Sequence, residues 1–137
     1  MNPTPATPTI SKKRLVTSYV ITSLVTLYLI FDTVLKLLKL PPAVKGTTEL
    51  GYPVDSVLWI GLMELVCLVL FLLPRTSVFG ALLMTGYLGG AIATHFRLGN
   101  PLLSHTLFPI YIALMLWGGL YLRETRLAAL IPLRENT

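Results

Sequence analysis

The sequence predicts an all-α integral membrane protein, a four-helix bundle with antiparallel up-down-up-down topology. Composition is the first reason: 54% of the 137 residues are hydrophobic and 12% are charged, against roughly 25% charged in an average globular chain, and the mean hydropathy is +0.74. The second is four apolar runs of roughly 20 residues each, the length a helix needs to cross hydrocarbon at about 1.5 Å per residue. The third is that no run alternates, whereas a sheet in lipid must close into a barrel of about 9–11-residue alternating strands. The expected surroundings are therefore a lipid bilayer.

A chain of this length makes one domain, which excludes mechanisms that need a separate substrate lobe. Residues 1–11, proline- and threonine-rich, read as a disordered tail. Lys12-Lys13-Arg14 then opens the membrane domain, expected over residues 12–123. The basic cluster also suits a signal peptide, but the run behind it is longer than an h-region, carries Asp32 and Lys36 and lacks a small-residue cleavage site, so helix one is expected to stay. The spans fall at about 15–39, 55–73, 77–97 and 102–122, and residues 124–137 form a cytoplasmic or interfacial tail.

Basic residues set the orientation, because Lys and Arg are retained on the cytoplasmic side. One side collects Lys12, Lys13, Arg14, Arg75, Arg123, Arg126 and Arg134, the other Lys36, Lys39, Lys45 and Arg97. This bias predicts an inner or plasma membrane protein with both termini cytoplasmic. The two outward loops share the pattern L-G-x-P-x-x-S, in Leu50–Ser56 and Leu98–Ser104. It is what a glycine-ended helix followed by a proline-started one would use, and it is also what a duplicated hairpin would leave. The inner turn, Leu73–Ser77, is short enough only for an antiparallel pair.

Charge inside an apolar run costs several kcal/mol unless it is paired or hydrated, so the ionisable residues within the spans carry most of the functional information. Asp32 and Lys36 stand at i,i+4 with the acid first, the favourable order for a pair on one helical face. Glu64 lies about 14 Å below the start of helix two and has no cation at i±3 or i±4, so its partner must come from another helix or a ligand. His95 and Arg97 end helix three and His105 begins helix four. All six are expected in the outer half of the bundle, with Glu64, Asp32 and His95 as candidate catalytic groups and Lys36, Arg97 and His105 as candidate binding groups. Gly86 and Gly90 form a small-x-x-x-small seam on which helix three should pack closely, with His95 on the opposite side and Arg97 on the glycine side.

Other chemistries fit less well. The net charge of +5 could suggest nucleic acid, but too little surface is left outside the apolar runs for a phosphate-tracking face. The single Cys67 excludes disulfide frameworks, C-x-x-C redox pairs and cysteine zinc sites. Haem is disfavoured because both histidines lie at one rim, and a metal cluster because the E-x-x-H spacing of bundle di-metal sites is absent. A polar pocket in an apolar bundle remains, suited to a lipophilic small molecule with one polar end, such as a quinone or isoprenoid.

The stretch Gly86–Pro101, which reads GYLGGAIATHFRLGNP, resembles the DoxX-like family of small four-helix membrane proteins, together with Leu50-Gly51-Tyr52-Pro53, Gly61-Leu62-Met63-Glu64 and Leu72–Thr76. The likeness spans about residues 15–123. It implies a four-helix fold and marks Lys36, Glu64, His95 and Arg97 as the matching polar positions. The family takes its name from a membrane subunit of a thiosulfate:quinone oxidoreductase that works with a second subunit. The resemblance therefore points to an accessory protein or subunit in quinone-linked redox or oxidative-stress chemistry, partnered by a redox subunit, and association with further copies of itself is the other partnership expected. Two readings from other classes stay open. One is a stand-alone intramembrane acid/base enzyme, an isomerase, cyclase or hydrolase acting on a lipophilic substrate, and the other is a structural scaffold.

Overall fold

Residues 9–130 are described by a computed structural model, and they are helical almost throughout, with no strand among the described residues. Residues 1–8 of the expected N-terminal tail and 131–137 of the C-terminal one, Arg134 included, lie outside the described residues.

Helix α1 (Lys12–Leu37) starts at Ser11, whose side-chain oxygen accepts from the backbone N–H of Arg14 at 3.3 Å and satisfies one open donor of the first turn. It is apolar nearly all round, so lipid can cover most of it. What it buries is the stripe Ser18, Thr22, Val25, Leu29 and Thr33, at three- and four-residue steps. After it come α2 (Pro41–Glu49), α3 (Ser56–Leu72), α4 (Ser77–Arg97), a π-helical turn (Leu102–Thr106), α5 (Phe108–Arg123) and α6 (Thr125–Leu130).

Two elements depart from the spans read in the sequence. Residues 41–49, expected as loop, form α2, which Pro41 and Pro42 start because a first turn needs no N–H from them. The span expected over 102–122 begins instead with the π turn and breaks at Leu107 before α5. Pro109 has no N–H to donate one turn back, and the preceding residues bond in wider loops, Thr106 N–H to Pro101 O at 3.2 Å and Leu107 N–H to Leu102 O at 2.8 Å.

The repeated L-G-x-P pattern is explained by helix termination. Gly51 (φ +88°) and Gly99 (φ +66°) take the left-handed conformation that closes α2 and α4. In each case the next residue's N–H reaches back five positions, Tyr52 to Thr47 O at 3.3 Å and Asn100 to His95 O at 3.1 Å. The first copy thus closes the short α2, not the first long helix.

Three helical stretches are long and apolar enough to cross a membrane, Lys12–Leu37, Ser77–Arg97 and Leu102–Arg123. Helix α3 is apolar but has 17 residues, the lower edge of the roughly 17–25 that span hydrocarbon. Helix α1 packs on α3 and α5, and α4 packs on the same two. Small residues set the closest approaches. A Cβ at Gly80 would run into the backbone of Leu70 and Phe71, one at Gly61 would lie 2.8 Å from Cβ of Lys36, and one at Gly119 2.5 Å from Oγ1 of Thr22. The seam expected at Gly86 and Gly90 does not form, since a Cβ at either would meet nothing within 4 Å. Helix α4 approaches α3 closely at Gly80 instead, one turn into the helix, where the tight Leu73–Thr76 turn forces the two backbones together.

The core is formed by Val25, Leu29, Leu68, Phe71, Met84, Leu116 and Leu120. At the end of the molecule where α1 starts and α5 ends, Ser18 Oγ donates to Gly119 O at 2.6 Å and Arg123 donates to Thr22 Oγ1 at 3.0 Å. Helix α6 adds Leu127 to the same core.

Candidate functional site

Three helices bring four polar side chains together at the end of the molecule that carries α2. The α1 periodicity sets Asp32 and Lys36 on one face, and they bond each other. Gly61 lets α1 approach α3 closely. Glu64, one turn further along α3, thereby comes within 2.8 Å of the Lys36 ammonium through Oε2. From α4, Tyr87 accepts from Lys36 at 2.8 Å and donates its own hydroxyl hydrogen to the same Glu64 Oε2 at 3.1 Å. Glu64 is fully buried, and its other oxygen, Oε1, has no hydrogen-bond partner among the described residues.

The charge count is uneven: one ammonium faces two carboxylates, so the cluster is neutral only when it also holds one carboxyl proton. Asp32 lies at the edge with 31% of its side chain exposed, whereas Lys36 retains 13%. An unbalanced charge is most costly on the buried member, Glu64.

These side chains line a cavity of about 1190 Å³ that runs among the four long helices to the underside of α2. Its walls are mostly apolar, with Trp59 and Met63 from α3 and Ile112 from α5. Gly86 and Gly90 face it as bare backbone, which explains why the seam expected there is not a helix contact.

Of the six residues singled out in the sequence, Asp32, Lys36 and Glu64 form one network. His95 and His105 line the same cavity nearer its α2 end, with ring centroids 6.0 Å apart, and neither bonds to the network. His95 Nδ1 pairs with Asn100 Nδ2 at 2.8 Å, and His105 Nδ1 with Ser104 Oγ at 2.7 Å. His95 lines the same cavity as Gly86 and Gly90, although helical angles place it opposite them. Arg97 lies outside the cavity lining. It donates to Leu50 O at 3.1 Å and covers Gly51, and with the Tyr52–Thr94 hydroxyl pair at 2.9 Å it ties the close of α2 to the end of α4. No group of three or more metal-ligating His, Cys, Asp or Glu side chains forms among the described residues.

Tyr87 is the member that sequence reasoning missed. Its signal was a phenol in the middle of an apolar helix, since a buried tyrosine hydroxyl usually finds a partner.

The apolar helices and the buried ionic network enclosed by them define an integral membrane protein. The DoxX-like family model matches residues 20–119, and the chain belongs to that family. No curated protein and no solved structure matches it.

Proposed function

We propose that the chain is a four-helix antiparallel bundle that holds a lipophilic molecule by its polar end, as an accessory protein or subunit in quinone-linked redox or oxidative-stress chemistry. The observation that carries this reading is Glu64, fully buried, bonded through one oxygen and unpartnered at the other, in the wall of a large apolar cavity. A purely structural ion pair would gain from filling both oxygens, and replacing the whole cluster by well-packed apolar residues is often neutral or stabilising. The cavity volume exceeds the roughly 300–1,000 Å³ of ordinary ligand pockets, which leaves room for a ring and an isoprenoid tail. The family resemblance supports the quinone. The reading of α3 as a fourth, antiparallel span is supported by two contacts, the end of α3 with the start of α4 at Gly80 and the end of α1 with the first half of α3 at Gly61. With both termini cytoplasmic, in an inner or plasma membrane, the cavity occupies the outer half of the bundle.

The test is native mass spectrometry of the detergent-purified protein, followed by thermal melts with added decylubiquinone and, anaerobically, decylubiquinol. A retained lipophilic molecule and a concentration-dependent rise in melting temperature are expected. Protein that retains nothing and melts unchanged would leave the fold without the site.

A second reading is favoured by the two carboxylates on one ammonium. In an intramembrane acid/base enzyme Glu64 would give or take the proton and Asp32, joined to it through Lys36, would be its counterpart. Asp32 suits that role better than His95, which stands outside the network. Turnover of an isoprenoid or other lipophilic substrate that is lost in Glu64→Gln, with no redox partner present, would favour it over the first reading.

A further inference from the structure

We infer that the polar end of the ligand is a hydroxyl group and that it donates to Oε1 of Glu64, so the cavity takes a lipophilic alcohol or phenol in preference to the matching ether or carbonyl compound. The inference rests on the ligand-holding reading above and names the chemistry of the same site.

It follows from counting donors. An ammonium has three N–H groups, and those of Lys36 are directed at Asp32, Glu64 Oε2 and Tyr87. The single hydroxyl hydrogen of Tyr87 goes to Glu64 Oε2. No donor in the network is left for a ligand, and two carboxylate oxygens are open, Oδ1 of Asp32 at the exposed edge and Oε1 of Glu64, the one on a carboxyl group with no exposed surface. An ether or quinone oxygen arriving there would set lone pair against lone pair. A hydroxyl brings the missing hydrogen, and its bond to a carboxylate is charge-assisted.

The cavity extends to the Glu64 side chain. Gly86 and Gly90, on either side of the Tyr87 turn of α4, present no side chain to the cavity. Oε1 is covered by its neighbours, so a ligand reaches it by moving them aside while the bonds of Lys36 and Tyr87 to Oε2 hold the carboxyl group in place.

The proposal places the one carboxyl proton of the cluster on Asp32 and leaves Glu64 as the anion paired with Lys36, and this gives it a sign. A proton carried on Oε1 would make it a donor and reverse the preference toward ethers and carbonyls. The direction of discrimination therefore reads the state of this oxygen directly.

The experiment uses the full chain in phosphatidylcholine nanodiscs and two matched pairs of probes, geranylgeraniol with its methyl ether and anaerobically held decylubiquinol with decylubiquinone. Dissociation constants come from titration of the melting temperature. The expected result is that the hydroxyl member of at least one pair binds about tenfold or more tightly than its partner. The pair that shows the larger ratio identifies the source as isoprenoid alcohol or quinol. In Glu64→Gln the amide can keep its oxygen toward Lys36 and Tyr87 and turn its N–H₂ to the ligand, so the preference should vanish or invert. Equal binding of both members by the wild-type protein, as expected if only water meets Oε1, or preference for the ether and the quinone, overturns this inference and leaves the lipophilic site standing. Failure of all four probes to bind removes both. The wild-type comparison needs no variant, so it decides the matter even where Glu64→Gln does not fold.

Discussion

At the residue scale the consequences centre on one cation shared by two acids. Removing Lys36 and removing Glu64 are not equivalent. In Glu64→Gln, Lys36 and Asp32 remain as a balanced pair, and the amide oxygen can still accept from Lys36 and Tyr87, so the melting temperature in detergent should change little. In Lys36→Met two carboxylates face each other across a buried gap with no cation, and the cost should be about 3–5 kcal/mol, the range for stranding a buried charge. Adding Asp32→Asn and Glu64→Gln to Lys36→Met should recover most of that loss. Thermal melts of the four proteins check the order, and equal destabilisation by Glu64→Gln and Lys36→Met would show that Glu64 is held mainly for stability. Tyr87→Phe removes one accepted and one donated hydrogen bond. A loss of about 1–3 kcal/mol is expected in the same melts, and a variant as stable as the wild type would remove Tyr87 from the network.

At the element scale, glycines that look alike in the sequence do different things. Gly80→Ala must push α4 away from the backbone of α3, where no flexible side chain can give way, and should be among the most destabilising single-methyl changes in the chain. Gly86→Ala adds its methyl into open space and gains helix propensity, worth up to about 1 kcal/mol, so it should melt at or slightly above the wild type. The same methyl projects into the cavity wall and should weaken binding of a bulky lipophilic probe. Melting and binding measured together separate the effects, and a Gly86→Ala protein destabilised as strongly as Gly80→Ala would mean that a helix packs on Gly86 after all. Spacing along a helix places small residues on a face. It does not say whether that face meets a helix or a cavity, which is why Gly86 and Gly90 were read as a seam. Helix α2 was missed for a related reason. Its nine residues include Gly46 and two threonines and carry no long apolar run, and the one positive signal, Pro41-Pro42 at a helix start, also suits a loop.

At the scale of the whole molecule the charge bias predicts the orientation. Among the described residues Lys12, Lys13, Arg14, Arg75, Arg123 and Arg126 gather at one end. Of the opposing set, Lys36 is occupied inside the polar network, so only Lys39, Lys45 and Arg97 act as loop charges there. The bias toward cytoplasmic termini is thus stronger than a bare count of lysines and arginines indicates. Reporter fusions after residue 137 and within residues 41–54 should be active on opposite sides of the membrane, the first on the cytoplasmic side. A C-terminal reporter active outside the cytoplasm would invert every depth assigned to the cavity.

What the sequence determined by itself was the solvent, the helical class and the separate ingredients of the site. Those follow from local properties: the length and apolarity of the runs, the i,i+4 step from Asp32 to Lys36, and the absence of any cation near Glu64 along its own helix. Tertiary structure decided which ingredients meet. The close approach at Gly61 brings Lys36 to Glu64, and the placement of α4 across the cavity brings in Tyr87. It also sent Arg97 to the Leu50 carbonyl, and left both histidines apart from the network. The physical reason is that helical periodicity fixes the direction of a side chain about its own axis, whereas the neighbour it finds there depends on how closely separate helices can pack.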